Sequence, residues 1–439
     1  MGCDLRKEIC IFVKLEKQEV VLGVVSKIKN NTILTNIASL GLLQMANYVI
    51  PILVIPFVTR ALGADAFGKA MYAQNIIAYL TIIVNYGFEY AATQDVAINK
   101  ENHQRLVDIF WSVISSKFVL LLVSFMILCG LYFVFPRVHE DILLYLFAAL
   151  VNIGFAIFPT WFFQGMEKMA KMAIFNFSVR VISGTLTVLL ITAPSHYRFY
   201  LLISSLAYVV VGFVAFIYVI KHYSLLPKNF KFDFSPIKKG FPIFLNLAFA
   251  TLYTTAGFTI LGFYFSDMDL GFYSGAYKII MAFVMLTSMP ISMSLFPMIS
   301  RKFNESRAEG LATLKKCSYI VGGVGILVSI FVFLAAPILV RLLLGPEFGL
   351  SVNMLRAFAP LPFLIIMASM FTVQGLYGMQ MQKYAPFVGL TVGVSCVGFT
   401  LLLIPSLGIY SAIVGYVSAE LVEVLISAGI IIFKKNNCL

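Results

Sequence analysis

An all-α, polytopic membrane protein with about 12 transmembrane helices, in two six-helix lobes around a central cavity, is the fold class this sequence predicts. Three observations predict it. The 439-residue chain is 60% hydrophobic and 12% charged, with a mean hydropathy of +0.94, whereas soluble domains carry about 25% charged residues. Long uncharged runs such as 119–135 and 320–336 suit helices of about 20 residues crossing a hydrocarbon core of about 30 Å, while barrel strands would be shorter and alternating. Two phrases recur at matching places, which divides the chain into halves.

Apolar runs bounded by charges or turn residues place the spans at 34–58, 70–91, 112–135, 142–163, 172–194, 199–220, 241–265, 277–298, 319–344, 357–380, 385–405 and 408–433. The first carries Pro51 and Pro56, which remove backbone hydrogen bonds and predict an interrupted helix, and leads through Arg60 into a glycine-containing turn ending at Gly68. The third follows the polar stretch 99–105, the fourth ends near Gln164-Gly165, and the fifth ends at Pro194. A basic segment, 221–240, joins the halves. The eighth span carries Pro290 and Pro297 and the tenth Pro360 and Pro362; such breakers suit helices that line a cavity and change shape, although prolines are also common in transmembrane helices generally. Pro194 and Pro405 separate the tightest joins, between spans five and six and between eleven and twelve. The resulting units are a cytoplasmic N-terminal extension (1–33), an N-terminal lobe (34–220), a cytoplasmic linker (221–240), a C-terminal lobe (241–433) and a cytoplasmic tail (434–439).

Charge tests this topology, because Lys and Arg of short loops accumulate on the cytoplasmic side. With the N-terminus inside, 23 of the 32 Lys and Arg fall in inner segments and seven in outer ones (Arg60, Lys69, Arg137, Arg198, Lys278, Arg341 and Arg356), leaving Lys117 and Arg180 within spans. The net charge of +12 and pI near 9.3 therefore reflect topology; the basic residues form no single surface block of the kind nucleic acid requires. Residues 1–33 hold no signal-peptide core, and Arg6 stands where myristoylation needs Ser or Thr. The extension reads as a tail or as an interfacial helix. The six cysteines are scattered with no CxxC pair, so neither a disulfide framework nor a zinc site is indicated.

The recurring phrases are AFGKAMYAQ (66–74), after the first span, and LGFYSGAYK (270–278), after the seventh; Gln164-Gly165 after the fourth span is likewise answered by Gln374-Gly375 after the tenth. Their offsets, 271 − 68 = 203 and 374 − 164 = 210, are similar, as a duplicated six-helix unit requires. Six is even, so the halves share one topology about an axis along the membrane normal, with a cavity between them.

Ionisable groups inside spans are informative because one at mid-bilayer costs roughly 2.5 to 3.5 kcal/mol and needs a partner or a wet cavity. Arg60, Lys117, Arg180 and Lys278 read as a largely cationic cavity for an anionic, phosphate-bearing substrate. The alternative places Arg60 and Lys278 at the interface, lets Lys117 snorkel and gives Arg180 a structural carboxylate partner. Glu89, Glu420 and Glu423 are candidates for a coupling cation or proton; Glu420 and Glu423, three apart on the last span, also suit a structural salt bridge. Tyr86, Tyr90 and Trp161, near span ends, read as interfacial anchors. No catalytic constellation appears. The four histidines all fall in loops, with no HExxH, GxSxG or Walker loop, so the expectation is a transporter, not an enzyme, with no cofactor and no ATP site.

Several phrases in order, VIPFVTRALGADAFG from Val54, YGFEYAATQDVA from Tyr86, PTWFFQGMEKM from Pro159, LGFYSGAYKI from Leu270 and LLLGPEFGLSVNMLRAFAPL from Leu342, resemble one family. It is the polysaccharide-biosynthesis flippases, the O-antigen and capsule repeat-unit translocases of the multidrug/oligosaccharidyl-lipid/polysaccharide exporter superfamily. The N-terminal extension departs from that family's usual short start. The resemblance implies a bacterial cytoplasmic-membrane protein that passes undecaprenyl-diphosphate-linked oligosaccharide repeat units across the bilayer by alternating access between two lobes. Its partners would be the lipid-linked oligosaccharide, membrane lipid, a polysaccharide polymerase and a chain-length regulator. Arg60 matches the family's arginine after the first span. Two alternatives stay open: a cation-coupled drug or metabolite antiporter of the same superfamily, for which Glu420 and Glu423 would serve, and a membrane glycosyltransferase, which usually carries a sizeable outer loop that this chain lacks.

Overall fold

The computed structural model describes residues 32–227 and 233–436. Most of the predicted N-terminal extension, the middle of the linker and the last residues of the tail lie outside the described residues, as do Cys3, Cys10 and Cys438.

Every regular element among the described residues is helical, and eleven stretches there are long and apolar enough to cross a membrane. The first of these holds two crossings. Thr32–Asn85 is helical except at Gly63 (φ 71°, ψ 175°), a backbone conformation that glycine adopts without strain. It is therefore two helices, α1 (32–62) and α2 (64–85). The rest follow as α3 (Phe88–Ile98), α4 (His103–Val134), α5 (Pro136–Glu140), α6 (Ile142–Ile157), α7 (Thr160–Gly165), α8 (Met169–Leu190), α9 (Tyr197–Tyr223), α10 (Ser235–Tyr264), α11 (Asp267–Glu305), α12 (Arg307–Leu343), α13 (Ser351–Phe358), α14 (Leu361–Ser369), α15 (Ala385–Leu407) and α16 (Tyr410–Asn436). α14 runs on through π-helical turns at Met370–Tyr377. The end of the bundle where α9 hands over to α10 is called the linker end, and the other the far end. α1 rises to the far end, where Arg60 reaches the end of α12, and α2 descends to the linker end, where Tyr86 stacks on Phe244 at 4.5 Å.

The breaks differ from expectation. Pro51 and Pro56 lie within α1, Pro290 and Pro297 within α11, and Pro405 within α15. A proline removes one N–H but holds φ near −65°, a helical value, so the chain turns instead at Gly63 and Gly408 (φ 55°). Pro360 does stand at a break, between α13 and α14. Helix ends also reach past the apolar runs. Ser266 Oγ accepts from the Asp269 N–H (3.2 Å) while the Asp269 carboxylate accepts from the Ser266 N–H (3.3 Å), a capping box. α11 therefore begins ten residues before its predicted span. At the linker end, the Asp233 carboxylate accepts from the Ser235 N–H (2.8 Å) and hydroxyl (2.7 Å), which holds it below the usual carboxylate range.

The duplication is visible in packing. A Cβ on Gly68 would lie 1.8 Å from the Asp267 carbonyl oxygen, and one on Gly271 would lie 2.0 Å from that of Ala64. Since 64 + 203 = 267 and 68 + 203 = 271, the two close approaches are equivalents exchanged by a pseudo-twofold axis, where α2 and α11 cross backbone to backbone. The second pair behaves alike: Gln164 Oε1 accepts from Thr93 Oγ1 (3.4 Å), and Gln374 Nε2 donates to Ser292 Oγ (2.8 Å), each tying the fourth crossing of its half to the second. Trp161 is fully buried beside Phe110 and Phe162, and Tyr86 is 9% exposed. These rings are core, contrary to the expectation of interfacial anchors: Trp161 lies on α7, packed among Phe110 and Phe162, and Tyr86 is covered by Phe244 and Phe88; Tyr90 is exposed.

Candidate functional site

Two of the four predicted cavity cations share one recess. Arg180 stands eleven residues into α8 from the linker end, and Lys278 eleven residues into α11 from the far end. At 1.5 Å per residue each sits about 16 Å along its helix from that end, well inside the bundle. Lys278 was expected at the outer end; the capped polar start of α11, 267–276, carries it inward. Both residues line a slot of about 90 Å³ against α1, with Pro51, Ser183, Thr187 and Tyr200. Arg180 also lines a cavity of about 350 Å³ walled mostly by the N-terminal lobe and closed by Thr251 of α10, where its guanidinium lies 5.5 Å from the Tyr208 ring centroid. Lys278 also lines an interlobe cavity of about 210 Å³ between α2, α10 and α11. Gln74 and Ala78 border both larger cavities, so the three spaces form one region around α2.

The other two cations close helix ends. Lys117 is 1% exposed and its Nζ donates to the Phe155 carbonyl (2.8 Å). That oxygen's ordinary helical donor would be residue 159, a proline without an N–H. Arg60 is exposed at the far end, and donates to the Leu342 carbonyl (2.9 Å), whose ordinary donor would be Pro346. Both cations complete the C-terminus of a helix, where the carbonyls are unsatisfied and the dipole favours positive charge.

The carboxylates lie outside the recess. Glu89 is exposed at the start of α3 and accepts from Thr160 Oγ1 (3.1 Å). Glu420 is 3% exposed, one layer behind Tyr277, whose ring lies 6.2 Å from that of Tyr416. Glu423 accepts from Thr372 Oγ1 (2.9 Å), which in turn lies 2.8 Å from Ser427 Oγ; Thr372 has one hydrogen to give, so Ser427 donates to it. The expected salt bridge on the last span is absent: neither glutamate forms an ion pair among the described residues.

Sequence reasoning missed a second feature, the charged joint at the far end. Arg137, after α4, forms an ion pair with Asp267 of the other lobe, donates to the Phe265 carbonyl (2.7 Å) and covers the Tyr72 ring at 5.1 Å. Beside it Asp141 accepts from Arg198 (2.8 Å) and from Tyr197 (2.6 Å). Because these pairs join residues more than fifty positions apart, no local spacing announces them.

A helical bundle of duplicated six-crossing lobes, with cations from both lobes meeting at mid-depth, defines a multi-pass membrane protein of transporter architecture. The same fold is found in an inward-facing multidrug resistance MATE family transporter of the MOP superfamily (TM-score 0.65, 14% identity, covering 91% of this chain and 99% of that one). Residues 33–303 match the family model described as polysaccharide biosynthesis protein, and the chain belongs to that family. It is similar to a putative O-antigen transporter of Escherichia coli strain K12, 27% identical over 92% of this chain and 96% of the relative. A putative O-antigen transporter of Shigella dysenteriae is also 27% identical, over 74% of this chain and 82% of the relative.

Proposed function

We propose that this protein is a flippase that moves undecaprenyl-diphosphate-linked oligosaccharide repeat units across the bacterial cytoplasmic membrane, for O-antigen, capsule or exopolysaccharide synthesis. The observation that carries this reading is the meeting of Arg180 and Lys278, one from each lobe, in one recess at mid-membrane depth, in a chain whose relatives are named O-antigen transporters. A diphosphate brings charge that two cations neutralise; the guanidinium offers paired donors to phosphate oxygens and the ammonium a compact charge. The same recess disfavours a cationic drug, which argues against the antiporter reading.

Because the cations belong to different lobes, bound diphosphate would bridge them, and rocking the lobes would carry it from one side of the membrane to the other. The linker end is the cytoplasmic end in this reading, supported by 23 Lys and Arg in the predicted inner segments against seven in the outer ones. Both termini are then cytoplasmic. The lobes meet at the far end through the Gly68 and Gly271 approaches and the Arg137–Asp267 pair, and at the linker end through the Tyr86–Phe244 stack; the far-end joint is the one that must part for the carrier to open outward. Glu420, buried, and Glu423, half-buried, neither in an ion pair among the described residues, are the coupling-ion candidates, since a carboxylate in that setting calls for a proton or a cation. Transport involves no bond-making on the substrate, so no catalytic residue is assigned. A polymerase and a chain-length regulator would act on the delivered repeat unit.

The test is complementation of a strain lacking its own flippase. Arg180→Ala and Lys278→Ala should each insert normally, lose most surface polysaccharide and accumulate lipid-linked intermediate inside. Unchanged surface polysaccharide in both variants would remove the cationic-recess argument.

A further inference from the structure

The interlobe cavity beside Lys278 has its own chemistry. α2 lines it with Met71, Gln74 and Asn75, and α11 with Ser274, Tyr277 and Lys278. Adding 203 to 71, 74 and 75 gives 274, 277 and 278, so the duplication presents the same helical register from each lobe across the pseudo-twofold axis. The side chains have diverged. Where α2 has an amide at 74, α11 has a phenol ring at 277; where α2 has Asn75, α11 has the ammonium of Lys278.

Gln74 stands out among these groups. It lies ten residues past the start of α2, about 15 Å deep, is exposed to the cavity, and makes no hydrogen bond among the described residues. Its neighbour Asn75 is already used, donating to Thr259 Oγ1 (2.8 Å) across the lobes. An amide at mid-membrane depth carries two donors and an acceptor that lipid cannot satisfy, so Gln74 is suited to a hydroxyl-rich ligand. Opposite it, Tyr277 lies parallel to Tyr273 (centroids 6.2 Å, planes 12° apart), and Tyr273 stacks on Phe258 (5.2 Å, 13°). The result is a rigid aromatic wall with a hydroxyl at its edge.

We infer that this interlobe cavity is the subsite for the sugar attached directly to the diphosphate, with Gln74 hydrogen-bonding its polar substituents and Tyr277 packing along its face, and that Gln74 and Tyr277 set which glycan is accepted. The inference rests on the reading of Arg180 and Lys278 as the diphosphate site. Lys278 borders both the slot it shares with Arg180 and this cavity, so a diphosphate held there places its sugar between α2 and α11.

Binding of two probes to purified full-length protein tests it: a short-chain polyprenyl diphosphate, and a set of the same lipid carrying one hexose or one N-acetylhexosamine. The wild type should bind at least one glycosylated probe more tightly than the bare one. Gln74→Leu and Tyr277→Leu should each lower that glycosylated-to-bare affinity ratio about fivefold, the scale of one lost hydrogen bond or ring contact. Arg180→Ala should weaken both probes and keep the ratio. If wild type gains nothing from any of the sugars, or if the Gln74 and Tyr277 variants leave the ratio unchanged, the sugar subsite is overturned while the diphosphate site stands. If Arg180→Ala leaves the bare probe's affinity intact, the diphosphate reading itself falls.

Discussion

Pro159 has no N–H, so the Phe155 carbonyl four residues earlier cannot complete its helical bond, and Lys117 supplies the missing donor. Pro346 does the same to Leu342, and Arg60 answers it. The sequence shows both prolines and both cations, but which cation reaches which carbonyl depends on packing between helices far apart in the chain, so local spacing does not reveal it. The two sites differ in burial, and so in expected cost. Lys117→Met leaves an unsatisfied carbonyl at a position 1% exposed and should destabilise the protein by about 1.5 to 3 kcal/mol, the range for a hydrogen bond to a charged group. Arg60→Ala, at an exposed helix end, should cost at most about 1 kcal/mol. Thermal unfolding in detergent reads both, and polyprenyl diphosphate binding by the folded fraction should survive in Lys117→Met. Lost binding with an unchanged melting temperature would return Lys117 to the substrate site.

At the scale of elements, the crossings were legible because hydrocarbon thickness imposes a length of apolar sequence that few other constraints can imitate. The breaks were less so: proline announces itself in sequence, yet after the prolines of α1 and α15 it is glycine, at 63 and 408, that turns the chain with a positive φ. Lys278 was misplaced for a related reason. The first turns of α11, with Ser266, Asp267 and Asp269, are too polar to register as a span, although the capping box makes them helix. Of the proposed site, Arg180 was legible as a costly intramembrane charge and Lys278 only as a cation at an outer helix end; their meeting was not legible, because it joins helices nearly a hundred residues apart. The repeat was legible, and its packing makes a prediction. With a Cβ only 1.8 or 2.0 Å from a backbone oxygen, Gly68→Ala and Gly271→Ala must each push α2 and α11 apart. Each should cost about 1 to 3 kcal/mol, as overpacking does, and by symmetry the two losses should be similar. Equal melting temperatures for wild type and both variants would show that the crossing is looser than the backbone approach implies.

For the whole molecule, the question is what holds the lobes together at the far end and what would let them part. At the helix crossing, small residues at 68 and 271 permit close contact without themselves fixing its angle. Arg137 fixes it, because one guanidinium reaches the Asp267 carboxylate and the Phe265 carbonyl while covering the Tyr72 ring, so it bonds across the lobes in several directions at once. Both partners are partly shielded, with side-chain exposures of 28% and 22%, so removing one of them strands the other's charge and costs more than breaking a surface pair. If the protein works by parting these lobes, Asp267→Asn should shift the population toward a far-end-open form. Spin labels or cysteines placed on the far-end turns of the two lobes should then report longer distances or faster labelling. Arg137→Ala should give the same shift, and the double variant should add little beyond either single one, as expected for a shared contact. The exchanged pair, Arg137→Asp with Asp267→Arg, should recover part of the closed population. Unchanged far-end distances in both single variants, or additive shifts in the double one, would mean that the pair does not latch the lobes.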